Sequence, residues 1–320
     1  MRLASLCAWM LLTGFMALGP NSAVAQNFPS KPIRILATGA GGGGDFAARL
    51  IAQGLTASLG RQVVVENRGG SVIIPVQIAA QAPPDGHTLI LYASTFWVLP
   101  LMQEVPYDPV ADFSPITLPV TSPNILVVHP SLPVKSVKEL IALARNKPGA
   151  LNYASTAPGG PPHLAAELFK SMAGVKIAFV PYKSAGMAVS ELLGGQVQMM
   201  FLLATSLMPH VNAGKLRALA VTSAHPTALT PGLPTVAASL PGFEMVTNVG
   251  IFAPARTDDA IIRKLNKEIV QILHQPEVKQ RFFNAGTEVV ASSPEELAAA
   301  MKSEMAAMGK LIKTAGLRVD

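Results

Sequence analysis

Cysteine is nearly absent from this sequence. The one cysteine, Cys7, lies in the N-terminal apolar stretch, so the chain after residue 25 contains no thiol. A chain without thiols forms no disulfide and no cysteine-based metal or redox centre. The 6 histidines are scattered and no pair has the spacing of metal ligands. We therefore expect neither a metal nor a cofactor.

Motifs of the common catalytic sites are also missing. The chain has no G-x-S-x-G elbow, no H-E-x-x-H pair and no P-loop lysine. Charged residues make up only 14% and hydrophobic residues 50%, which is typical of a globular chain. The formal charge of +6 is spread without Lys/Arg blocks, which argues against nucleic acid and weakly for small anionic ligands. We predict a binding protein rather than an enzyme.

Long apolar runs are confined to the N-terminus. Arg2 precedes an apolar stretch from Leu3 to Leu18 that is shorter than a membrane span. A small-x-small sequence, Ala23-Val-Ala25, follows before Gln26. This pattern is typical of a secretory signal peptide. We predict that residues 1–25 are removed on export and that the mature protein is periplasmic.

Glycine, in contrast, is concentrated at one point. Five of the six residues from Gly39 to Gly44 are glycine, after a β-like run and before a helix-like run. Free N–H groups at such a helix start bind anions, and glycine permits the close approach. Asp45 either contacts the ligand or stabilises the helix dipole. The candidate ligand contacts here are Gly39, Ala40, Gly41, Gly42 and Asp45.

The same loop has a second interpretation. It satisfies G-x-G-x-x-G, and the strand-like run from Arg61 to Glu66 ends in an acid about 20 residues further on, as in dinucleotide-binding βαβ units. An NAD-dependent oxidoreductase with a Rossmann-like loop is therefore the alternative function. The carboxylate of Asp45 would face a pyrophosphate unfavourably. The motif alone leaves both interpretations open.

Strand and helix patterns alternate in two similar sets. The predicted strands are 33–37, 63–66 and 88–92 in the first set, and 125–128, 151–154, 177–181, 197–203 and 216–221 after it. Such alternation is typical of parallel sheets flanked by helices, with ligands at the carboxyl ends of the strands. We predict an α/β fold of two lobes, each a mainly parallel sheet with flanking helices. Lobe 1 comprises residues 26–124 and 250–320, and lobe 2 comprises residues 125–249.

Polar residues follow strands in both lobes. The further candidate contacts are Ser71 and Ser94 in lobe 1, and Ser155, Thr156, Gly159 and His163 in lobe 2. We predict that the two Gly-bearing loops face each other across a cleft and offer N–H and hydroxyl donors to a carboxylate. His163, at a helix start, either contacts the solute or holds the loop by a hydrogen bond.

Short motifs over the whole chain carry a family resemblance. They include Phe28-Pro-x-Lys-Pro-Ile-Arg34, Glu66-Asn-Arg68, Pro84-Asp-Gly86, Leu151-Asn-Tyr-Ala-Ser155, Val180-Pro-Tyr-Lys183 and Gly214-Lys-Leu-Arg-Ala-Leu-Ala-Val221. The chain resembles the extracytoplasmic solute-binding proteins of tripartite tricarboxylate transporters, the Bug or TctC-like family. The resemblance implies a type II-like periplasmic binding fold that closes on a small carboxylate and either delivers it to the membrane subunits or acts as a sensor. It also implies that the glycine loop is a carboxylate cradle, and we expect a monomer.

The chain departs from the family pattern at three places. The family's glycine-rich loop is Gly69-Gly-Ser-Val-Ile73 here, Ala157 replaces a glycine, and Leu202 stands where an acid is common. If Leu202 and residues 72–74 line the cleft, they favour a carboxylate with an apolar or aromatic body. The alternative is that Leu202 packs in the core of lobe 2 with Phe201.

Overall fold

The computed structural model describes residues 28–41, 43–68, 71–155 and 159–317. The predicted signal peptide and the candidate contacts Gly42 and Thr156 lie outside the described residues. No helix within the described ranges is long and apolar enough to cross a membrane.

The described residues form a ten-stranded mixed sheet with helices against it. The strands are β1 (Ile33–Ala37), β2 (Val63–Asn67), β3 (Thr88–Ala93), β4 (Phe113–Val128), β5 (Asn152–Ser155), β6 (Ala178–Pro181), β7 (Met199–Leu203), β8 (Arg217–Val221), β9 (Val246–Pro254) and β10 (Glu288–Val289). The α-helices are α1 (Gly43–Leu59), α2 (Ile73–Ala80), α3 (Thr95–Val98), α4 (Val137–Asn146), α5 (Pro161–Ala173), α6 (Ala185–Leu193), α7 (Ala204–Asn212), α8 (Asp259–Leu273), α9 (Pro276–Asn284) and α10 (Pro294–Ala315).

The strand order is β2-β1-β3-β9-β4-β7-β5-β6, with β8 and β10 also paired to β4. Strands β1, β2 and β3 are mutually parallel where they pair, as are β5, β6 and β7. The two middle strands, β4 and β9, run antiparallel to their neighbours. The predicted α/β class is confirmed, with a parallel set on each side of an antiparallel centre.

Strand β4 extends through both parts of the sheet. It pairs with β9 up to Pro123, and from Asn124 onward it pairs with β7 and β8. The sequence pattern predicts only the last four residues of this strand and misses β9. Prolines at 115, 119 and 123 obscure the strand in the sequence, because proline removes a ladder donor. Val246 lies beside Pro123, and the division into lobes near residues 124 and 249 stays a prediction.

Side-chain caps mark the starts of several helices. Ser136 accepts a hydrogen bond from the N–H of Glu139 at 3.2 Å at the start of α4. Ser293 and Glu296 form a reciprocal capping box at the start of α10. Each such cap stabilises its helix by about 1 kcal/mol.

One cluster of buried apolar side chains extends through both parts of the sheet. It contains Trp97 and Phe252 beside β3, Phe169 and Phe201 beside β5, and Met308 of α10. Burying each of these large side chains contributes about 1.5–3 kcal/mol. The C-terminal helix packs against β4 and against α3 and α5, one helix from each part.

Candidate ligand-binding cleft

The carboxyl ends of the two parallel sets face each other. Strand β3 is antiparallel to β9, and β9 is antiparallel to β4, so β1, β2 and β3 run in the same direction as β4. Their carboxyl ends therefore point toward the second half of β4. Strand β7 is antiparallel to that second half, so β5 to β7 point back toward the first set. Loops at the carboxyl ends of α/β strands are the usual place for ligands. The topology therefore builds a cleft between two opposed edges.

The described candidate residues lie along these edges. Gly39, Ala40 and Gly41 follow β1, Ser71 follows β2, Ser94 follows β3, Ser155 ends β5, and Gly159 and His163 begin the α5 segment. The fold brings them to facing edges, and their contact with a solute stays a prediction.

The carboxylate of Asp45 holds the first glycine loop. One oxygen accepts a hydrogen bond from the N–H of Gly41 at 2.9 Å. The other accepts from the side-chain amide of Asn67 at 2.7 Å and lies 2.9 Å from Nε of Arg49. The same amide nitrogen also donates to the carbonyl of Thr38 at 2.8 Å. Both carboxylate oxygens are thus occupied by groups of the protein itself.

These contacts also set the ionisation of Asp45. The hydrogen bond from the Gly41 N–H, followed by that from Asn67, lowers the pKa of the Asp45 carboxyl below its ordinary value of 3.8. Asp45 is only 6% exposed and carries its charge throughout the neutral range. We infer that it positions the loop, a role different from the ligand contact and the helix-dipole stabilisation considered from the sequence.

Asn67 and Arg49 are partners that sequence reasoning missed as site residues. Asn67 stands in the family landmark Glu66-Asn-Arg68, where the residue type alone gives no role. The parallel register pairs Ala37 with Asn67, which places the amide directly beside the loop that leaves β1. Arg49 reaches the same point because it lies one helical turn after Asp45.

Glycine is required in this loop for two different reasons. Gly41 has φ of +84°, a conformation that side chains disfavour, although an added Cβ would contact nothing within 4 Å. At Gly44 an added Cβ would lie 2.7 Å from Oγ1 of Thr38. The loop is thus compact, and its Gly41 N–H serves Asp45 rather than standing free for an anion.

Ser71 and Ser94 have structural partners as well. Ser71 accepts a hydrogen bond from the N–H of Ile73 at 3.2 Å. Ser94 is buried and lies close to the carboxyl of Glu304 on α10. The same carboxyl accepts from Nε1 of Trp97 at 3.2 Å and from Nδ2 of Asn248 at 3.0 Å. Burial raises the pKa of Glu304 above its ordinary value of 4.5.

In lobe 2, His163 holds the second loop. Its Nδ1 accepts a hydrogen bond from the N–H of Gly159 at 3.2 Å, and its Nε2 lies 4.0 Å from the carboxylate of Glu167. The ring packs 4.6 Å from that of Phe179, between centroids. Burial lowers the pKa of His163 below 6.5, so the imidazole is neutral at pH 7 and Nδ1 stays an acceptor.

Leu202 has the surroundings of a core residue. It is 7% exposed, pairs with Ile125 and belongs to a buried cluster with Leu207 of α7. Phe201 lies in the other cluster, on the opposite face of β7. The packing alternative accounts for Leu202, although its neighbour across the strand is Ile125 rather than Phe201.

The bulky residues after β2 are divided between core and surface. Val72 and Ile73 pack against the core, whereas Ile74 is 56% exposed. With Leu202 buried in lobe 2, little apolar wall remains for the predicted apolar ligand body. That ligand preference stays a prediction with only Ile74 to support it.

A cavity lies at the strands β4 and β9 and at α10. It has a volume of about 620 Å³, and Thr121, Asn248 and Glu304 are among the residues that line it. None of the candidate ligand contacts lines this cavity. It is bounded by the strands that cross between the lobes and by α10.

The carboxyl ends of the two parallel strand sets face each other, and β4 and β9 connect the two sets. On each side a loop and the start of a helix follow the strands. This arrangement is that of a two-lobed solute-binding protein of the periplasmic type. A profile described as "Tripartite tricarboxylate transporter family receptor" matches residues 47–317. The chain belongs to this family, as the sequence landmarks indicate.

Three similar proteins illustrate this membership. A curated relative from Pseudomonas sp. (strain P51), "UPF0065 protein in tcbD-tcbE intergenic region", is 38% identical over 93% of this chain and 91% of its own length. The structure "R. palustris Rpa4515 with adipate" is 33% identical, with a TM-score of 0.78 over 91% of this chain and 99% of that one. "MatC (Rpa3494) from Rhodopseudomonas palustris with bound malate" is 28% identical, with a TM-score of 0.73 over 89% and 100%.

Proposed function

We propose that this protein captures a small carboxylate in the periplasm and delivers it to the membrane subunits of a tripartite tricarboxylate transporter. The observation that carries the proposal is the pair of facing strand edges, each with a loop that buried side chains hold in place. Gly41 is fixed by Asp45, and Gly159 is fixed by His163. The adipate and malate bound by the two solved relatives support a carboxylate as the ligand class.

The protein acts in this proposal as a receptor, without catalysis, nucleic acid or a metal. We propose that it is monomeric, with a division between lobes near residues 124 and 249. Closure of the lobes on the solute presents a surface that the membrane subunits recognise.

A ligand panel separates this function from the dinucleotide alternative. A ligand at 100 times its dissociation constant stabilises the folded protein by about 2.7 kcal/mol. For a chain of this size that corresponds to roughly 5–10 °C in Tm. We expect such a shift with at least one of adipate, succinate, malate and citrate, and none with NAD or NADP. A shift with NAD, or turnover of a panel member, would favour the oxidoreductase.

Export is tested separately. We propose cleavage before Gln26, and the intact mass of protein taken from the periplasm should correspond to a chain that starts within a residue or two of it. Recovery of the full-length chain from the cytoplasm would contradict the proposed compartment.

A further inference from the structure

Two polar side chains at the cleft edge of lobe 2 are buried without partners. Asn124 and Ser155 are each 1% exposed. Among the described residues, neither the amide nitrogen nor the amide oxygen of Asn124 has a hydrogen-bond partner, and nor does the hydroxyl of Ser155. Buried polar groups are nearly always satisfied, and leaving one unsatisfied lowers stability. Where two such side chains lie together at the edge of the candidate cleft, they indicate a partner outside the protein.

The two side chains lie on one face of the sheet. Asn124 pairs with Leu203 at the end of β7. Ser155, by the β5–β7 register, lies beside Phe201, two residues before Leu203. Because side chains alternate along strands, both belong to the face of Phe201, where Phe169 of α5 packs. Both therefore lie at the edge toward lobe 1, on the face where α5 and its loop begin.

The backbone of Asn124 needs nothing from its side chain. Its N–H donates to Oγ1 of Thr222 at 2.8 Å. Its carbonyl accepts from the N–H of Thr222 at 2.9 Å and from the Thr222 hydroxyl at 3.0 Å. These hydrogen bonds hold the chain where it passes from lobe 1 to lobe 2. They do not involve the amide side chain, so that side chain is not needed for the structure at this point.

We propose that Asn124 and Ser155 bind the solute, and that Asn124 selects carboxylates that carry a hydroxyl or an amino group. This inference rests on the proposed function. The Ser155 hydroxyl and the Asn124 NH₂ group donate to a carboxylate, but the Asn124 amide oxygen needs a donor that a plain carboxylate lacks. A hydroxyl or amine next to the carboxylate supplies that donor. The groups are enclosed in this conformation, so the solute reaches them when the cleft opens.

Succinate and malate are the matched probes, because they differ by one hydroxyl. In calorimetric titration the unmodified protein should bind malate about tenfold or more tightly than succinate. Asn124→Leu removes the unsatisfied amide at similar volume, so it should raise the Tm of the ligand-free protein by about 2 °C or more. It should also bring the ratio of malate to succinate affinity close to one.

Thr230→Val is the control. The Thr230 hydroxyl is also buried without a partner among the described residues, but it lies in the loop after β8, outside the candidate contacts. This variant should raise Tm similarly and leave both affinities unchanged. Ser155→Ala, a minimal change, should weaken malate and succinate alike by about tenfold, and it tests the site if Asn124→Leu does not fold.

Three outcomes overturn the inference while the proposed function stands: equal affinity of the unmodified protein for both probes, an unchanged ratio in Asn124→Leu, or normal binding by Ser155→Ala. Binding of some other carboxylate but of neither probe also refutes the hydroxyl selectivity. If no carboxylate of the larger panel binds at all, it is the proposed function that fails.

Discussion

Replacing Asp45 by asparagine tests whether its carboxylate positions the glycine loop or contacts the solute. Asparagine keeps one acceptor oxygen but presents an NH₂ group to the donors of Gly41 or Asn67 and removes the charge opposite Arg49. A hydrogen bond to a charged group contributes about 1.5–3 kcal/mol. At about 2–4 °C per kcal/mol, the loss of one such bond lowers Tm by roughly 3–12 °C.

The assay is thermal unfolding without ligand, followed by titration with whichever panel carboxylate binds the unmodified protein. We expect Asp45→Asn to lose stability first, and to bind more weakly because the loop is no longer fixed. Asp259→Asn is the control, because Asp259 also lies in the first turn of a helix but is exposed. Its Tm should change by less than about 2 °C. An Asp45→Asn protein with unchanged Tm and no binding would refute the positioning role and assign the carboxylate to the ligand.

Three further predictions follow from the same network of contacts. Glu304 has a raised pKa, so the folded state favours its protonated form, and stability should fall as pH rises from 4.5 through the folded pKa. Glu304→Gln should remove that part of a Tm-against-pH profile and raise Tm at pH 7. His163 has a lowered pKa, so stability should fall as pH drops below 6.5, and His163→Gln should lack this fall. Gly41→Ala should cost about 1–2 kcal/mol in urea unfolding, because φ is +84° but no atom obstructs the Cβ; a larger cost would reveal a contact that the loop geometry does not contain.

The two parallel sets were predictable because each is a local pattern. Ile33–Ala37 is a continuous apolar run that ends at glycine, and its predicted bounds are those observed. The capping residues Ser136 and Ser293 likewise carry their signal within four residues. Strand β4 was predictable only in its last quarter, since its first twelve residues contain three prolines and its pairing partner is far away in the sequence.

The candidate site was predictable in position but not in detail. Ligands of α/β folds bind at the carboxyl ends of the strands. Gly41, Ser94 and Ser155 follow or end predicted strands, so their position at that edge could be predicted from the neighbouring sequence alone. The contacts that fix the loops come partly from elsewhere in the chain, as with Asn67 beside Asp45. Asn124 could not be found from the sequence, because it is distinguished only by a buried side chain that has no hydrogen-bond partner among the described residues.

The buried cluster that extends through both halves determines how the protein unfolds. Phe201 of one half, Phe252 of the other and Met308 of the C-terminal helix belong to the same apolar core. Each half also has a buried cluster of its own, but separating the halves completely would expose the core that they share. Heating should therefore produce one calorimetric transition whose van't Hoff and calorimetric enthalpies agree. Proteolytic removal of the last helix should leave fragments that aggregate, and a half expressed alone should not behave as an independent folding unit.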